Sequence, residues 1–120
     1  MRVKRFEDLV VWQKSRDLSV AIYKSTNTGP FARDFGLRDQ IRRAAVSVMS
    51  NIAEGFGRYS RNELRQFLSI ARGSVTEVRS QLYLARELGY VDEAEHQALH
   101  ELCIEIARML AALRASIDRA

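Results

Sequence analysis

Apolar residues recur at helical spacing along most of this chain. In residues 61–88 they alternate steps of four and three, which places them on one side of an α-helix. The members of this stripe are Leu64, Leu68, Ala71, Val75, Val78, Leu82 and Ala85. Residues 37–54 and 92–118 show similar spacing, and residues 6–24 have a broader apolar side. The pattern predicts four helices over these ranges.

Polar and small residues between these segments predict where the helices begin and end. Ser60 and Glu63 have the spacing of a capping box at the start of the third helix. Residues 25–30 include Gly29 and Pro30, cannot continue a helix, and are predicted to form the longest loop. Gly55 and Gly57 are expected to end the second helix in a left-handed conformation.

These segments predict a helical fold without a sheet. One proline and six glycines in 120 residues are too few turn residues for an all-β protein. The turn at residues 89–91 is short, so the third and fourth helices are expected to be antiparallel neighbours. We predict an all-α, single-domain antiparallel four-helix bundle over residues 1–120, with long third and fourth helices.

The composition excludes several classes of protein. The one cysteine, Cys103, rules out a disulfide framework and is expected to be buried on the core stripe. No run of about 18 apolar residues is present, so no membrane association is predicted and a cytoplasmic location is the default expectation. Glu93, His96 and His100 could share a helix face, but no other helix has a histidine. We therefore predict a solvent-exposed helix start there, with no metal or cofactor.

The charge of the chain is polarised and carried mainly by arginine. Residues 1–86 contain 16 basic and 8 acidic side chains, whereas residues 87–120 contain 3 basic and 7 acidic ones. Five arginines lie seven residues apart beside the core seam of the third helix: Arg58, Arg65, Arg72, Arg79 and Arg86. They could pair with acids of a neighbouring helix, such as Glu101 and Glu105, or contact the phosphates of a nucleic acid.

A second side of the third helix is apolar or small. Its residues are Phe67, Ile70, Gly73, Ser74, Leu84 and Leu88. They could thicken the core of a monomer, but an exposed patch of this length is unusual on a monomer, which favours an interface between subunits. At its middle, Gly73 and Ser74 would let another backbone approach closely.

Residues 40–55 carry the most specific motif of the chain, ending in Asn51, Ile52, Ala53, Glu54 and Gly55. This run resembles the signature of the 23S rRNA intervening-sequence protein family, whose members are also called four-helix-bundle proteins. The opening residues Phe6, Leu9 and Trp12 and the turn at residues 88–90 agree, and the resemblance covers about residues 6–113. Met49 departs from the family, which usually has proline there, so this helix is expected to be straighter.

The resemblance implies a similar bundle that assembles as a barrel-like homopentamer, with no known enzymatic activity. A structurally similar accessory protein of diversity-generating retroelements binds nucleic acid and its enzyme partner. By position, Arg42, Arg43, Asn51, Glu54 and Arg58 are implied to matter for folding, assembly or binding. The residues themselves also allow Asn51 and Glu54 to form a buried polar clasp that fixes helix register.

These observations lead to one functional expectation and one alternative. We expect a non-enzymatic homo-oligomer that binds structured nucleic acid, RNA rather than DNA, through Arg42, Arg43 and the five arginines of the third helix. The alternative is a scaffold for a protein partner encoded nearby, with the arginines forming salt bridges between subunits.

Overall fold

The computed structural model describes residues 3–119, and the regular elements in that range are all helices. Residues 1, 2 and 120 of the predicted domain lie outside it. The elements are a short 3-10 turn (Phe6–Asp8), α1 (Val10–Ser25), α2 (Gly29–Arg33), α3 (Phe35–Phe56), α4 (Arg61–Glu87) and α5 (Glu93–Arg119). In the described range, no helix combines the length and the hydrophobicity of a membrane-spanning segment.

The four long helices form an elongated helical bundle of 46 × 22 × 20 Å. α3 packs against α1 and α4, and α5 packs against α4 and α1, so the helices close around one core. Contacts between α4 and α5 show that they are antiparallel: Arg65 near the start of α4 contacts Asp118 near the end of α5. At the other end of the seam, Arg86 contacts Glu93.

The core consists of the apolar stripes that the sequence predicted. On α4 the buried residues are Leu68, Ala71, Val75, Val78, Leu82 and Ala85. They meet buried residues of the other long helices, among them Leu18, Ile41, Ile52 and Ile106. The steps of four and three along α4 therefore identified its inward side correctly.

Two predicted boundaries are wrong near the start of the chain. α1 begins at Val10 rather than Phe6, since Phe6 belongs to the 3-10 turn and packs its ring edge-on against Trp12. The predicted loop at residues 25–30 is shortened by α2, which has Pro30 in its first turn, where the missing N–H loses no hydrogen bond. α2 also buries Phe31 in the core.

The predicted left-handed end of the second helix is also wrong. α3 continues through Gly55 to Phe56, and Gly57 has a right-handed φ of −80°. Gly55 is buried because α4 passes directly over it: a Cβ built on Gly55 would lie 2.8 Å from Cβ of Phe67 and 3.1 Å from Cδ1 of Leu64. The glycine is needed for close helix packing and not for a turn.

The turn between α4 and α5 is tied to the start of α3. Gly89 has a φ of +74°, and the N–H of Tyr90 donates to the carbonyl of Ala85 at 2.9 Å, which closes α4 with a Schellman motif. The Tyr90 hydroxyl donates to Oδ2 of Asp34 at 2.9 Å, and hydrogen bonding to this carboxylate raises the pKa of Tyr90. Oδ1 of Asp34 accepts from the N–H of Leu37, so one carboxylate joins both sites.

Replacing Gly55 by alanine is expected to destabilise the fold. The new methyl group meets Cβ of Phe67, which cannot move without its backbone, so overpacking outweighs the gain in helix propensity by about 1–2 kcal/mol. Urea denaturation followed by circular dichroism measures this change in the free energy of unfolding.

Gly73→Ala is the matched control, because its built Cβ has no atom within 4 Å in the described chain apart from its chain neighbours and the backbone of its own helix. At low protein concentration this substitution should raise the free energy of unfolding by about 1 kcal/mol through helix propensity alone. Equal effects of the two substitutions would contradict the close approach at Gly55.

Candidate nucleic-acid interface

The predicted row of arginines, here called the arginine stripe (Arg58, Arg65, Arg72, Arg79 and Arg86), lies mostly along the seam between α4 and α5. Its first member is separate, since Arg58 precedes the first residue of α4. The Arg58 guanidinium binds Glu54 at 2.8 Å and lies 5.1 Å from the ring centroid of Phe67. Arg58 therefore stabilises the connection between α3 and α4 by contacting both helices.

Two arginines of the stripe bind acids near the two ends of α5. Nε of Arg65 lies 2.7 Å from Oδ1 of Asp118, and Nη1 of Arg86 lies 3.6 Å from Oε1 of Glu93. The expected partners Glu101 and Glu105 are not the ones used. Glu105 binds Lys14 of α1 at 3.1 Å, and Glu101 accepts a hydrogen bond from Gln97.

The two central arginines of the stripe, Arg72 and Arg79, have no acidic partner within 4.0 Å among residues 3–119. Arg72 borders a cavity of about 250 Å³ whose wall on α5 includes Leu110, Arg114 and Asp118. The Asp118 carboxylate is engaged there by other arginines, at 3.7 Å from Arg114. Because neither central arginine is neutralised by an ion pair, the middle of the stripe keeps a local positive charge between two paired ends.

Arg42 and Arg43 do not join the arginine stripe. Arg42 faces the end of α1, where Nε donates to Oγ1 of Thr26 at 2.7 Å and Nη2 donates to the Thr26 carbonyl at 3.2 Å. Its guanidinium also lies 4.5 Å from the ring centroid of Tyr23. Arg43, in contrast, is exposed. These contacts give Arg42 a role in joining α1 to α3.

A polar clasp of three hydrogen-bonded side chains joins α3 to α4, and it contains Asn51 but not Glu54, the other residue expected there. Nδ2 of Asn51 donates to the carbonyl of Ser47 at 2.8 Å and lies 3.0 Å from Oγ of the same serine. Oγ of Ser47 in turn lies 2.8 Å from Oγ of Ser74 on α4. Glu54 is exposed and does not take part, since it binds Arg58. Ile52 of the same motif is buried in the core, and Ala53 is half-buried.

The predicted interface residues divide between two sides of α4. Phe67 packs over Gly55 and Ser74 bonds Ser47, so both face α3. The remaining large side chains lie outside the bundle, where Ile70, Leu84 and Leu88 are 51%, 49% and 49% exposed. Gly73 is exposed between them. The outer members, Ile70, Gly73, Leu84 and Leu88, are called the outer apolar face below.

The two histidines form a cluster that the sequence reasoning missed. His96 is only 3% exposed, which contradicts the prediction of a solvent-exposed helix start. It continues the buried stripe of Leu99 and Cys103 backwards by one turn, and this spacing of three and four could have revealed it. The Glu93 carboxylate forms an ion pair with Arg86. Residues 3–119 contain no group of three or more side chains suited to a metal ion.

Burial also changes the acid–base properties of this part of α5. Desolvation, helped by the nearby charge of Arg79, lowers the pKa of His100. Burial raises the pKa of the Cys103 thiol to about 12. The thiol is therefore protonated at neutral pH and is a poor nucleophile, which agrees with its expected place in the core.

Comparison with known proteins supports the fold. The sequence model of the 23S rRNA-intervening sequence protein family matches residues 7–112. A crystal structure of a protein with unknown function from the S23 ribosomal protein family of Bacteroides thetaiotaomicron superposes with a TM-score of 0.80. It is 27% identical, and the match covers 88% of this chain and 98% of that one. No curated protein matches the sequence.

The contrast between Arg42 and Arg43 yields a prediction about stability. Arg42→Gln removes the donors to the carbonyl and hydroxyl oxygens of the buried Thr26, and the hydroxyl keeps only the bonds that it donates itself, so the free energy of unfolding should fall by about 1–3 kcal/mol. Arg43→Gln, at the next and exposed position, should change it by less than about 0.5 kcal/mol. Urea denaturation of both variants measures the difference, and equal values would refute the structural role of Arg42.

Proposed function

This chain belongs to the 23S rRNA-intervening sequence protein family, and from that membership we propose that it is a non-enzymatic four-helix bundle that binds structured nucleic acid. The arginine stripe contacts phosphates, and the bundle works as a homo-oligomer. RNA is favoured over DNA because the family is named for a sequence within 23S rRNA.

The observation that carries this proposal is the lack of an acidic partner for Arg72 and Arg79 within residues 3–119. Seven residues separate them, which corresponds to about 10 Å along a helix. Arginine pairs with phosphate in two-point geometry, and such contacts position a nucleic acid without reading its sequence. The two side chains extend from a 27-residue helix whose other face is buried, so the spacing of their backbone positions is fixed before a ligand binds.

The ion pairs near the ends of the stripe suggest that its arginines contribute differently to binding. Arg65 and Arg86 are held by Asp118 and Glu93, so a phosphate could reach them only by competing with a carboxylate already in place. Arg72 and Arg79 meet no such competitor in the described chain. Binding energy is therefore expected to come mainly from the central pair, and Arg65 and Arg86 contribute to the long-range positive field.

Replacing both central arginines by glutamine should weaken nucleic-acid binding and its dependence on salt. Each lost phosphate contact on a duplex lowers the slope of log affinity against log salt by about 0.9, so the double variant should lose about 1.8. Fluorescence anisotropy with a structured ribosomal RNA fragment, titrated between about 50 and 200 mM salt, measures both quantities. A matched DNA duplex tests the preference for RNA.

Arg33→Gln with Arg108→Gln is the matched control, because these exposed arginines lie on other helix surfaces and their loss changes the net charge equally. This control should keep most of the affinity. If the wild-type protein does not bind at low salt, or if both double variants bind alike, the proposed phosphate contacts at Arg72 and Arg79 are wrong.

A second function is favoured by the outer apolar face of α4. Its leucine and isoleucine side chains lie half-exposed on the side of α4 away from the core. Such a face suits a scaffold in which copies of this chain, or a protein partner encoded nearby, pack against α4. In that case arginines of the stripe would pair with acids across the interface.

Self-association tests this second function. Sedimentation velocity of the wild-type protein should show an oligomer, a pentamer by the family resemblance, and Ile70→Gln with Leu84→Gln should shift it towards monomer. Val20→Gln, which alters an exposed apolar residue of α1, should leave it unchanged. Gly73→Ala should weaken assembly if a neighbouring backbone packs there. A wild-type protein that sediments as a monomer would contradict assembly between copies of this chain, in this function and in the first one.

A further inference from the structure

Both histidines of the chain lie together against one tyrosine at the seam between α4 and α5. The ring centroid of Tyr83 is 5.1 Å from that of His96 and 5.5 Å from that of His100. The two imidazole rings are stacked on each other at 5.7 Å. Three aromatic rings therefore form one cluster, and it lies beside the arginine stripe.

The charged groups facing His100 are mostly positive. On α4 they are Arg79 and Arg86, which lie on either side of Tyr83 in sequence; the Arg86 guanidinium is 5.3 Å from the tyrosine ring. On α5 the titratable neighbours are His96 and Glu101. Arg86 is engaged by glutamates, whereas Arg79 has no ion pair among residues 3–119. Of these two arginines, Arg79 lowers the pKa of His100 more, and Arg79 is also the one that has no carboxylate partner in the described chain.

Three buried nitrogen atoms, two in this cluster and one on the neighbouring Arg79, lack a hydrogen-bond partner in the described chain: Nε2 of His96, Nδ1 of His100 and Nε of Arg79. Buried polar atoms are nearly always bonded in native proteins, and leaving one unbonded is unfavourable. An arginine Nε–H is a donor only, and an imidazole becomes a donor at both nitrogens once it is protonated. These three atoms are themselves closed to solvent, whereas the terminal guanidinium nitrogens of Arg79 are not among them. A negatively charged acceptor would therefore meet those terminal nitrogens and act on His100 through its charge.

We propose that Arg79 and His100 form a proton-coupled phosphate site, in which a phosphate group bound by Arg79 is accompanied by a proton taken up from solvent on His100. The inference rests on the proposed function where the phosphate belongs to a nucleic acid. It goes further by adding a histidine to the site and by making binding depend on pH.

The coupling follows from the charges around the imidazole. In the unbound protein, desolvation and the charge of Arg79 lower the pKa of His100, so the ring is neutral at pH 7. A phosphate on Arg79 offsets the repulsion from that guanidinium and attracts the imidazolium, so binding raises the pKa of His100. By linkage, affinity rises as the pH falls between the bound and the unbound pKa, by at most about tenfold per pH unit for one proton.

Proton NMR of the imidazole resonances tests this directly, because the chain has only two histidines. The pKa of each is measured in chloride, in inorganic phosphate at the same ionic strength, and with the structured ribosomal RNA fragment. We expect the pKa of His100 to rise with phosphate and with RNA. His100→Gln assigns the resonances and should remove the extra gain in RNA affinity at low pH.

The same titration of His100 in the Arg79→Gln variant is the second part of the test. Without the neighbouring guanidinium the pKa of unbound His100 should rise, and the further rise on adding phosphate should disappear. Arg33→Gln is the control and should leave both values unchanged. The titration of the wild-type protein is informative even if a variant does not fold.

The outcomes separate this inference from the proposed function. A rise in the pKa of His100 with inorganic phosphate but no RNA binding supports the site and refutes the nucleic-acid function. Salt-dependent RNA binding with an unmoved pKa of His100 refutes the site and leaves the function standing. A rise that persists in Arg79→Gln shows that the phosphate lies elsewhere, and this also overturns the inference.

Discussion

The close approach of α3 and α4 at Gly55 is the constraint on which the rest of the structure depends. Only a residue without a side chain lets Phe67 lie directly over the α3 backbone. That contact fixes the rotation of α4: Ser74 meets Ser47, the stripe from Leu68 to Ala85 turns inward, and the arginines fall beside α5. The arginine stripe on α4 is thus positioned by a packing contact on the opposite side of the helix.

The seam between α4 and α5 combines two electrostatic environments. Near its ends, arginine and carboxylate neutralise each other at Arg65 and Asp118 and at Arg86 and Glu93. Between them, Arg72 and Arg79 have no carboxylate within 4.0 Å in the described chain, and the α5 groups near them include Leu110 and His100. Ion pairs of this exposed kind add little stability, and their larger effect is to leave the excess charge in the middle of the seam.

The sequence predicted what depends on local periodicity and missed what depends on helix register. Residues such as Val75 and Leu82 were placed in the core because one helix determines its own faces. The acids that meet Arg65 and Arg86 depend on how far α5 slides along α4, which no spacing within one helix encodes. Gly55 was misjudged because a glycine near a helix end suits either a turn or a close contact. His96 was misjudged because polarity was weighed above its position on the buried stripe.

Asp34 links two parts of the chain that are far apart in sequence. Its carboxylate caps the start of α3 through Leu37 and holds Tyr90 at the turn that leads into α5. The hairpin formed by α4 and α5 is thus anchored on the same side chain that begins α3. Ordering either element removes conformational freedom from the other, so the first and second halves of the protein fold as one cooperative unit and not as two independent hairpins.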